Sequence, residues 1–283
     1  MSVSVLLEAQ ELKVGATISS NRTGKQGDYY VEYWKDNGSG TMTLKEGCSF
    51  SCEWGQVSNI LFRKGIRPGS KDQVVIYSAD YKPQGNSYLS IYGWFRDPLV
   101  EYYIIESWGS WKPPGGASKG SFETDSGTYD IYQNQRTGPS IDGDNKTFQQ
   151  YWSVRKTKRT NGVITCGNHF DAWEKKGMKI GKFYEVSFNV EAYQSPGGKA
   201  DVNVSMTTKD KYSTGIRNSI ENSSLENRMI LVNSNSHQEF YNALGRKITN
   251  MPATIHTSGQ NFVLLNNSTE FANGVYYLIP ERR

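Results

Sequence analysis

The hydrophobic and polar positions of this chain fall into many short strand-like runs broken by turn signals. The runs are Asp28–Trp34, Met42–Lys45, Ser49–Trp54, Val74–Tyr81, Ser87–Phe95, Leu99–Trp108, Gly127–Gln135, Thr147–Lys156, Phe183–Glu191 and Ala200–Met206. They are rich in Tyr, Trp, Val and Ile, which suit a pleated, half-buried surface. Between them stand Asp36-Asn37-Gly38, Lys45-Glu46-Gly47, Pro83-Gln84-Gly85-Asn86 and Asp142-Gly143-Asp144, residues that form tight turns. Many short strands at regular spacing predict an all-β sandwich or jelly roll over Gly15–Thr207. One stretch differs: His169–Gly177 (HFDAWEKKG) reads as a helix, with Asn168 as N-cap and Gly177 as stop. Phe170 and Trp173 sit three apart, placed to dock it on the sheet, and His169 reads as structural.

The ends have a different texture. Residues 1–14 read as a leader. Residues 208–227, rich in Ser and Asn, read as a linker. Residues 228–283 carry four further runs (Arg228–Val232, Glu239–Ile248, Asn261–Leu265 and Gly274–Ile279), which predict a small β-rich C-terminal module.

Composition narrows the function. The 283 residues include 18 Tyr and 7 Trp, and aromatics reach 13%. Such rings pack a β core, or line a cleft where pyranose faces stack. The net charge of +4 is mild, and no basic stripe with interleaved aromatics points to nucleic acid. The densest basic stretch, Arg155–Arg159 (RKTKR), reads as a solvated strand end. No apolar run approaches the ~18 residues of a membrane span. Met1–Gln10 lacks the features of a signal peptide, which does not argue against export. Cys48 and Cys52 lie about 13 Å apart if extended, at ~3.3 Å per residue, too far for a disulfide unless a bulge or turn intervenes. With Cys166 the thiols are odd in number, and the three His show no metal-ligand spacing with them. No metal and no cofactor are expected.

Two carboxylates interrupt strand-forming runs. In LVEYYIIE, Glu101 and Tyr103 share one face of a strand; Tyr102, Ile104 and Glu106 share the other. In VSFNVEAY, Glu191 and Tyr193 share a face. Either acid alone fits a solvated outer face. Together, each beside a tyrosine, they suit glycoside hydrolysis. A retaining glycosidase sets two carboxyl groups about 5–5.5 Å apart, one attacking the anomeric carbon while the other protonates the leaving oxygen. Glu106, on the opposite face, reads as structural.

Tyr88–Glu106 (YLSIYGWFRDPLVEYYIIE), Tyr151–Arg155 (YWSVR), the NHFDAW stretch and VEAYQSPG resemble, in order, glycoside hydrolase family 11, the jelly-roll xylanases. The resemblance runs through roughly Gly15–Thr207. It implies a twisted two-sheet jelly roll with a concave cleft, acting on xylan or xylo-oligosaccharides, secreted and monomeric. It implies Glu101 as nucleophile and Glu191 as acid/base. Tyr92 and Gln150 match positions that hydrogen-bond the nucleophile, and Tyr103 a tyrosine at the reacting sugar. Trp34 matches the donor-side stacking platform and Trp94 a cleft-lining position; Tyr193 is taken as a further substrate contact. Gln135–Ile141 matches a mobile thumb hairpin, with Arg136 near the nucleophile and Pro139, Ser140 and Ile141 at its tip. Ala192 departs from the usual Gly after the acid/base, and its methyl group could shift the Glu191 backbone. Asn59 matches a position where Asp accompanies acidic optima, so it implies an optimum nearer neutral. A bell-shaped pH–rate profile is expected. A β-1,4-glucanase and a non-catalytic carbohydrate-binding jelly roll remain alternatives. In the tail, YNALGRK followed by NGVYY resembles C-terminal sorting or surface-attachment domains of fibre-degrading gram-negative bacteria. A stabilising appendage and a carbohydrate-binding module using Phe240, Tyr241, Phe262, Tyr276 and Tyr277 are the other readings.

Overall fold

A computed structural model describes residues 11–213 in full and, beyond them, the backbone of five further strands. The chain divides into two compact units, Met1–Thr208 and Lys209–Arg283. In the first unit the strands are β1 (Thr17–Ile18), β2 (Arg22–Gln26), β3 (Tyr29–Lys35), β4 (Ser39–Leu44), β5 (Phe50–Ile66), β6 (Gln73–Gln84), β7 (Ser87–Arg96), β8 (Val100–Trp108), β9 (Ser121–Thr124), β10 (Gly127–Ser140), β11 (Gly143–Arg155), β12 (Asn161–Thr165) and β13 (Lys182–Thr208). A helix, α1 (Cys166–Lys175), lies between the last two.

All thirteen strands share one hydrogen-bonded sheet that folds into two layers, because β5 and β13 run through both. The first part of β5 pairs with β4 and its later part with β3. Likewise β13 pairs first with β7 and then with β6. The changeover falls at Gln56 (φ +50°) and Gln194 (φ +46°). A left-handed residue there breaks the pleat and redirects each strand. One layer therefore reads β2-β3-β5-β13-β7-β8-β11-β10-β9, the other β1-β4-β5-β13-β6-β12. Strands β8 and β11 are parallel.

The main core includes Tyr33, Phe50, Phe62, Phe95, Tyr102 and Phe188. Helix α1 docks onto it through Phe170 and Trp173, both fully buried and both against Tyr102, as their spacing predicts. Tyr102 donates to the Glu185 carbonyl (2.6 Å) past Gly93. A Cβ at Gly93 would lie 2.3 Å from each of those two oxygens, so only glycine fits between Tyr92 and Trp94. The opposite face of β7, β8 and β11 carries a second apolar cluster of Tyr88, Tyr92, Trp94, Tyr103, Ile105, Phe148, Trp152 and Val154. This face holds the site.

Some boundaries differ from expectation. Helix α1 begins at Cys166 with Thr165 as N-cap. Asn168 lies inside the first turn and donates to Thr124 instead (2.8 Å). The Asp125 carboxylate, from the β9–β10 turn, accepts the Thr165 N–H (2.8 Å) and hydroxyl (2.9 Å). It anchors the start of α1 from outside the local sequence. Gly177, at φ +73°, stops the helix as expected. Leu12, at the end of the expected leader, is buried in the core; residues 1–10 lie outside the described residues. Cys48, Cys52 and Cys166 are all buried and free.

In the second unit, β14 (Met229–Ser234) pairs with β15 (His237–Asn242). Strands β16 (Ile255–Ser258), β17 (Phe262–Leu265) and β18 (Val275–Tyr277) form an antiparallel sheet. Most of the expected linker, and the aromatic side chains proposed for a carbohydrate-binding face, lie outside the described residues. No helix among the described residues is long and apolar enough to cross a membrane.

Candidate active site

Glu101 is the second residue of β8, paired with Trp94 on β7 and Gln150 on β11. Two residues along, Tyr103 pairs with Tyr92 and Trp152. Strand alternation puts all six on one face. The Glu101 carboxyl is buried, and each oxygen has its own donor: Tyr92 hydroxyl to Oε1 at 2.8 Å, Gln150 amide to Oε2 at 2.6 Å. Trp94 Nε1 donates to the Tyr92 hydroxyl at 2.6 Å, which commits that hydroxyl's own proton to Glu101. The carboxyl plane is therefore fixed from two sides.

Glu191 lies on β13, paired with Tyr88 on β7 and Leu61 on β5, and Leu61 pairs in turn with Trp34 on β3. One row across the sheet thus reads Trp34, Leu61, Glu191, Tyr88. Asn189, two residues before Glu191, approaches its Oε2 at 3.4 Å. Burial, and then the charge of Glu101, push the Glu191 carboxyl up to about 7, against the opposing pull of Tyr103, Arg136 and Asn189. The Tyr103 hydroxyl lies 3.4 Å from Glu101 Oε1, and its pull on Glu191 offsets part of that carboxyl's rise. A carboxyl that keeps its proton near neutrality, opposite a second one held by two donors, can offer an acid and a nucleophile together.

The remaining predicted residues distribute around this pair. Strands β10 and β11 form the long hairpin expected as the thumb, and Arg136 pairs with Phe148 within it. Arg136 is exposed, and the neighbouring Glu101, Tyr103 and Glu191 hold its guanidinium protonated against a partial loss of solvent. At the tip, Pro139 is exposed, the Ser140 hydroxyl donates to the Gly143 carbonyl (2.9 Å), and Ile141 packs against the second apolar cluster. Arg96, at the end of β7, donates to Asp142 (2.9 Å) and approaches the Ile141 carbonyl (3.4 Å). The tip is tied down to the sheet. Tyr193 is exposed and pairs with Asn59. Asn59 makes no hydrogen bond to Glu191 among the described residues; its backbone exchanges hydrogen bonds with Asp36, and Asn189 is the amide beside the acid. Ala192 turns its methyl group into the main core, and its pairing with Ile60 and Ser87 continues without irregularity. Glu106 faces away. It is fully buried, accepts from Tyr77 (2.7 Å), Tyr129 and Arg159, and takes no part in the site.

Sequence reasoning missed Asn189 and the charged group of Glu32, Arg63, Arg67 and Glu185 beside Tyr92. A signal existed. Arg63 shares strand parity with Asn59 and Leu61, Glu32 with Trp34, and Asn189 with Glu191.

Residues 26–203 match the family described as Glycosyl hydrolases family 11. The chain is 51% identical over 205 residues to "Endo-1,4-beta-xylanase A" of Thermoclostridium stercorarium, covering 70% of this chain and 31% of that protein. It is 49% identical over 189 residues to "Endo-1,4-beta-xylanase A" of Bacillus pumilus, covering 64% of this chain and 82% of that one. The chain thus spans about a third of the Thermoclostridium relative. Among solved structures, the family 11 xylanase from Neocallimastix patriciarum superposes with a TM-score of 0.64 at 38% identity, over 68% of this chain and all of that one.

Proposed function

This chain belongs to family 11 of the glycosyl hydrolases, and from that premise we propose that it is an endo-1,4-β-xylanase that retains anomeric configuration, with Glu101 as nucleophile and Glu191 as acid/base. The observation that carries the reading is the pairing of Glu101, held by Tyr92 and Gln150, with Glu191, whose carboxyl is pushed up to about 7 by burial and by the Glu101 charge. A retaining glycosidase holds its two carboxyl groups about 5–5.5 Å apart, and the Glu101 charge acting on Glu191 supports a close pair.

In the first step Glu101 attacks the anomeric carbon, and Glu191 gives its proton to the departing glycosidic oxygen. The bond to the leaving sugar breaks as the Glu101 ester forms. Esterification removes the Glu101 charge, and with it one of the two causes that hold the Glu191 proton. Glu191, now a carboxylate, takes a proton from water as that water attacks the same carbon. The ester breaks, Glu101 is free again and Glu191 is reprotonated. Trp34 is the donor-side stacking platform, Trp94 and Tyr193 are further contacts, and Arg136, Pro139, Ser140 and Ile141 close over the chain.

Reducing-sugar release from xylan and from carboxymethylcellulose tests substrate class. Release from xylan alone is expected; release from the cellulose derivative alone makes the protein a glucanase, and binding without release makes it a lectin-like module. A polymeric substrate implies action outside the cell, checked by fractionating a producing culture. The proposed sorting or attachment role of residues 228–283 rests on the YNALGRK and NGVYY motifs. Its test is whether that segment directs a fused reporter to the cell surface or medium.

A further inference from the structure

A charged group with no part in the steps above lies against the ring of Tyr92. Arg63 is 4% exposed, and its Cζ is 4.7 Å from the Tyr92 ring centroid. Arg63 Nη2 is 2.6 Å from Glu32 Oε2 and 3.3 Å from Glu185 Oε1. Glu185 is fully buried, and its other oxygen is 2.9 Å from Arg67. Tyr30 donates to Glu32 at 2.9 Å, and Arg67 stacks on Tyr30 (3.4 Å) and Tyr184 (4.2 Å). Two cations and two anions therefore balance.

Stability does not call for such a group, since well-packed apolar side chains in place of a buried ion-pair cluster are often as stable or more so. What it does is fix a flat guanidinium, whose geometry a lysine does not reproduce. That plane is held where it meets Tyr92. Arg63 is on β5 and Tyr92 on β7, with only the small Ser187 of β13 between Gly65 and Tyr92 in the pairing row. A Cβ at Gly65 would come within 2.4 Å of the Ser187 Cα, so Gly65 offers no side chain to support the ring and Ser187 only a small one. Tyr103 meets Tyr92 edge-on at 5.0 Å. With Tyr103 and Arg63 both against it, the ring carries the hydroxyl that Trp94 orients towards Glu101.

We propose that Arg63 is a positioning residue for Glu101, acting through the Tyr92 ring. This rests on Glu101 being the nucleophile. A misplaced hydrogen-bond donor slows attack on the anomeric carbon with little effect on ground-state binding, because geometry at the reacting atoms governs the rate.

The test uses the full chain and 2,4-dinitrophenyl 2-deoxy-2-fluoro-β-xylobioside. The Glu101 carboxylate forms the C–O bond to the anomeric carbon, dinitrophenolate leaves with the electron pair, and the fluorinated ester is slow to hydrolyse. Mass mapping of the labelled parent checks the premise: a label elsewhere, or none, removes Glu101's role and this proposal with it. Given a label on Glu101, Arg63→Lys, which keeps a charge for Glu32, is expected to slow labelling roughly 10-fold with Ki changed by less than about twofold. In a Tyr92→Phe background, which keeps the ring and removes the hydroxyl, Arg63→Lys is expected to add no more than about twofold. The same 10-fold loss in that background, or no loss in the parent, overturns the proposal and leaves Glu101's role standing. If Arg63→Lys does not fold, the charge-neutral pair Arg63→Met/Glu32→Gln goes through the same cycle with the same two outcomes.

Discussion

Gln150 and Glu101 face each other on parallel strands, and the Gln150 amide donates to Glu101 Oε2 at 2.6 Å. A hydrogen bond to a charged group is worth about 1.5–3 kcal/mol. Gln150→Met keeps the volume and removes the donor. It is expected to lower kcat/KM on an aryl xylobioside by roughly 10- to 100-fold, with a thermal midpoint close to the parent's. A loss under about twofold would mean that Tyr92 alone holds the carboxyl group.

Glu191 is expected to set the alkaline limb of the pH profile. Its carboxyl is pushed up to about 7 by burial and by Glu101. The acid form is the working form, so kcat/KM falls as pH rises through about 7. Charge removal in Glu101→Gln takes away one cause, and the Glu191 inflection, followed by carbon NMR of labelled glutamate, moves down towards the usual carboxylate range. An inflection unmoved by that substitution would separate the two carboxyl groups electrostatically.

The same proton bears on stability. Between 4.5 and about 7 the folded chain keeps a Glu191 proton that the unfolded chain has lost. Stability therefore falls as pH rises through that window. Relative to the parent, Glu191→Gln is expected to gain stability across it, by up to about 3 kcal/mol above pH 7. Thermal melts at pH 4 and pH 8 check this; equal differences at both would contradict it.

The Arg96–Asp142 pair that ties down the hairpin tip is partly exposed, at 44% and 39% of side-chain surface. Such pairs contribute about 0.2–1 kcal/mol. Asp142→Asn is therefore expected to raise KM for long xylo-oligosaccharides by no more than about fivefold, an effect that shrinks in high salt. A salt-independent or much larger change would mean that Asp142 contacts substrate.

Glu106 gives the opposite pattern. Glu106→Gln leaves the half-buried Arg159 without its fully buried carboxylate partner, and breaking such a pair costs about 3–5 kcal/mol. A drop in thermal midpoint of roughly 10 °C is expected, with kcat of the folded variant near the parent's. Lost kcat in a variant of unchanged stability would give Glu106 a part in the chemistry.

The carboxylates were legible because each interrupts a strand-forming run, and strand parity separates Glu101 from Glu106. The fold class was legible for the same reason, since turn residues mark the strand ends. What escaped depended on distant partners. The start of α1 is set by Asp125, 40 residues from the Thr165 it holds, so the local Asn168 signal misled. Arg63 looks like a solvated residue until Glu32 and Glu185, from two other strands, surround it. Asn59, placed near the acid by resemblance, pairs with Tyr193 on the face of the sheet that carries Glu191.

The most direct test of the central claim is proton NMR of the sugar first released from xylopentaose, read before mutarotation. A two-step displacement through Glu101 predicts that the new reducing end appears first as the β anomer. First appearance of the α anomer would mean inversion by direct attack of water, and would contradict Glu101 as the nucleophile.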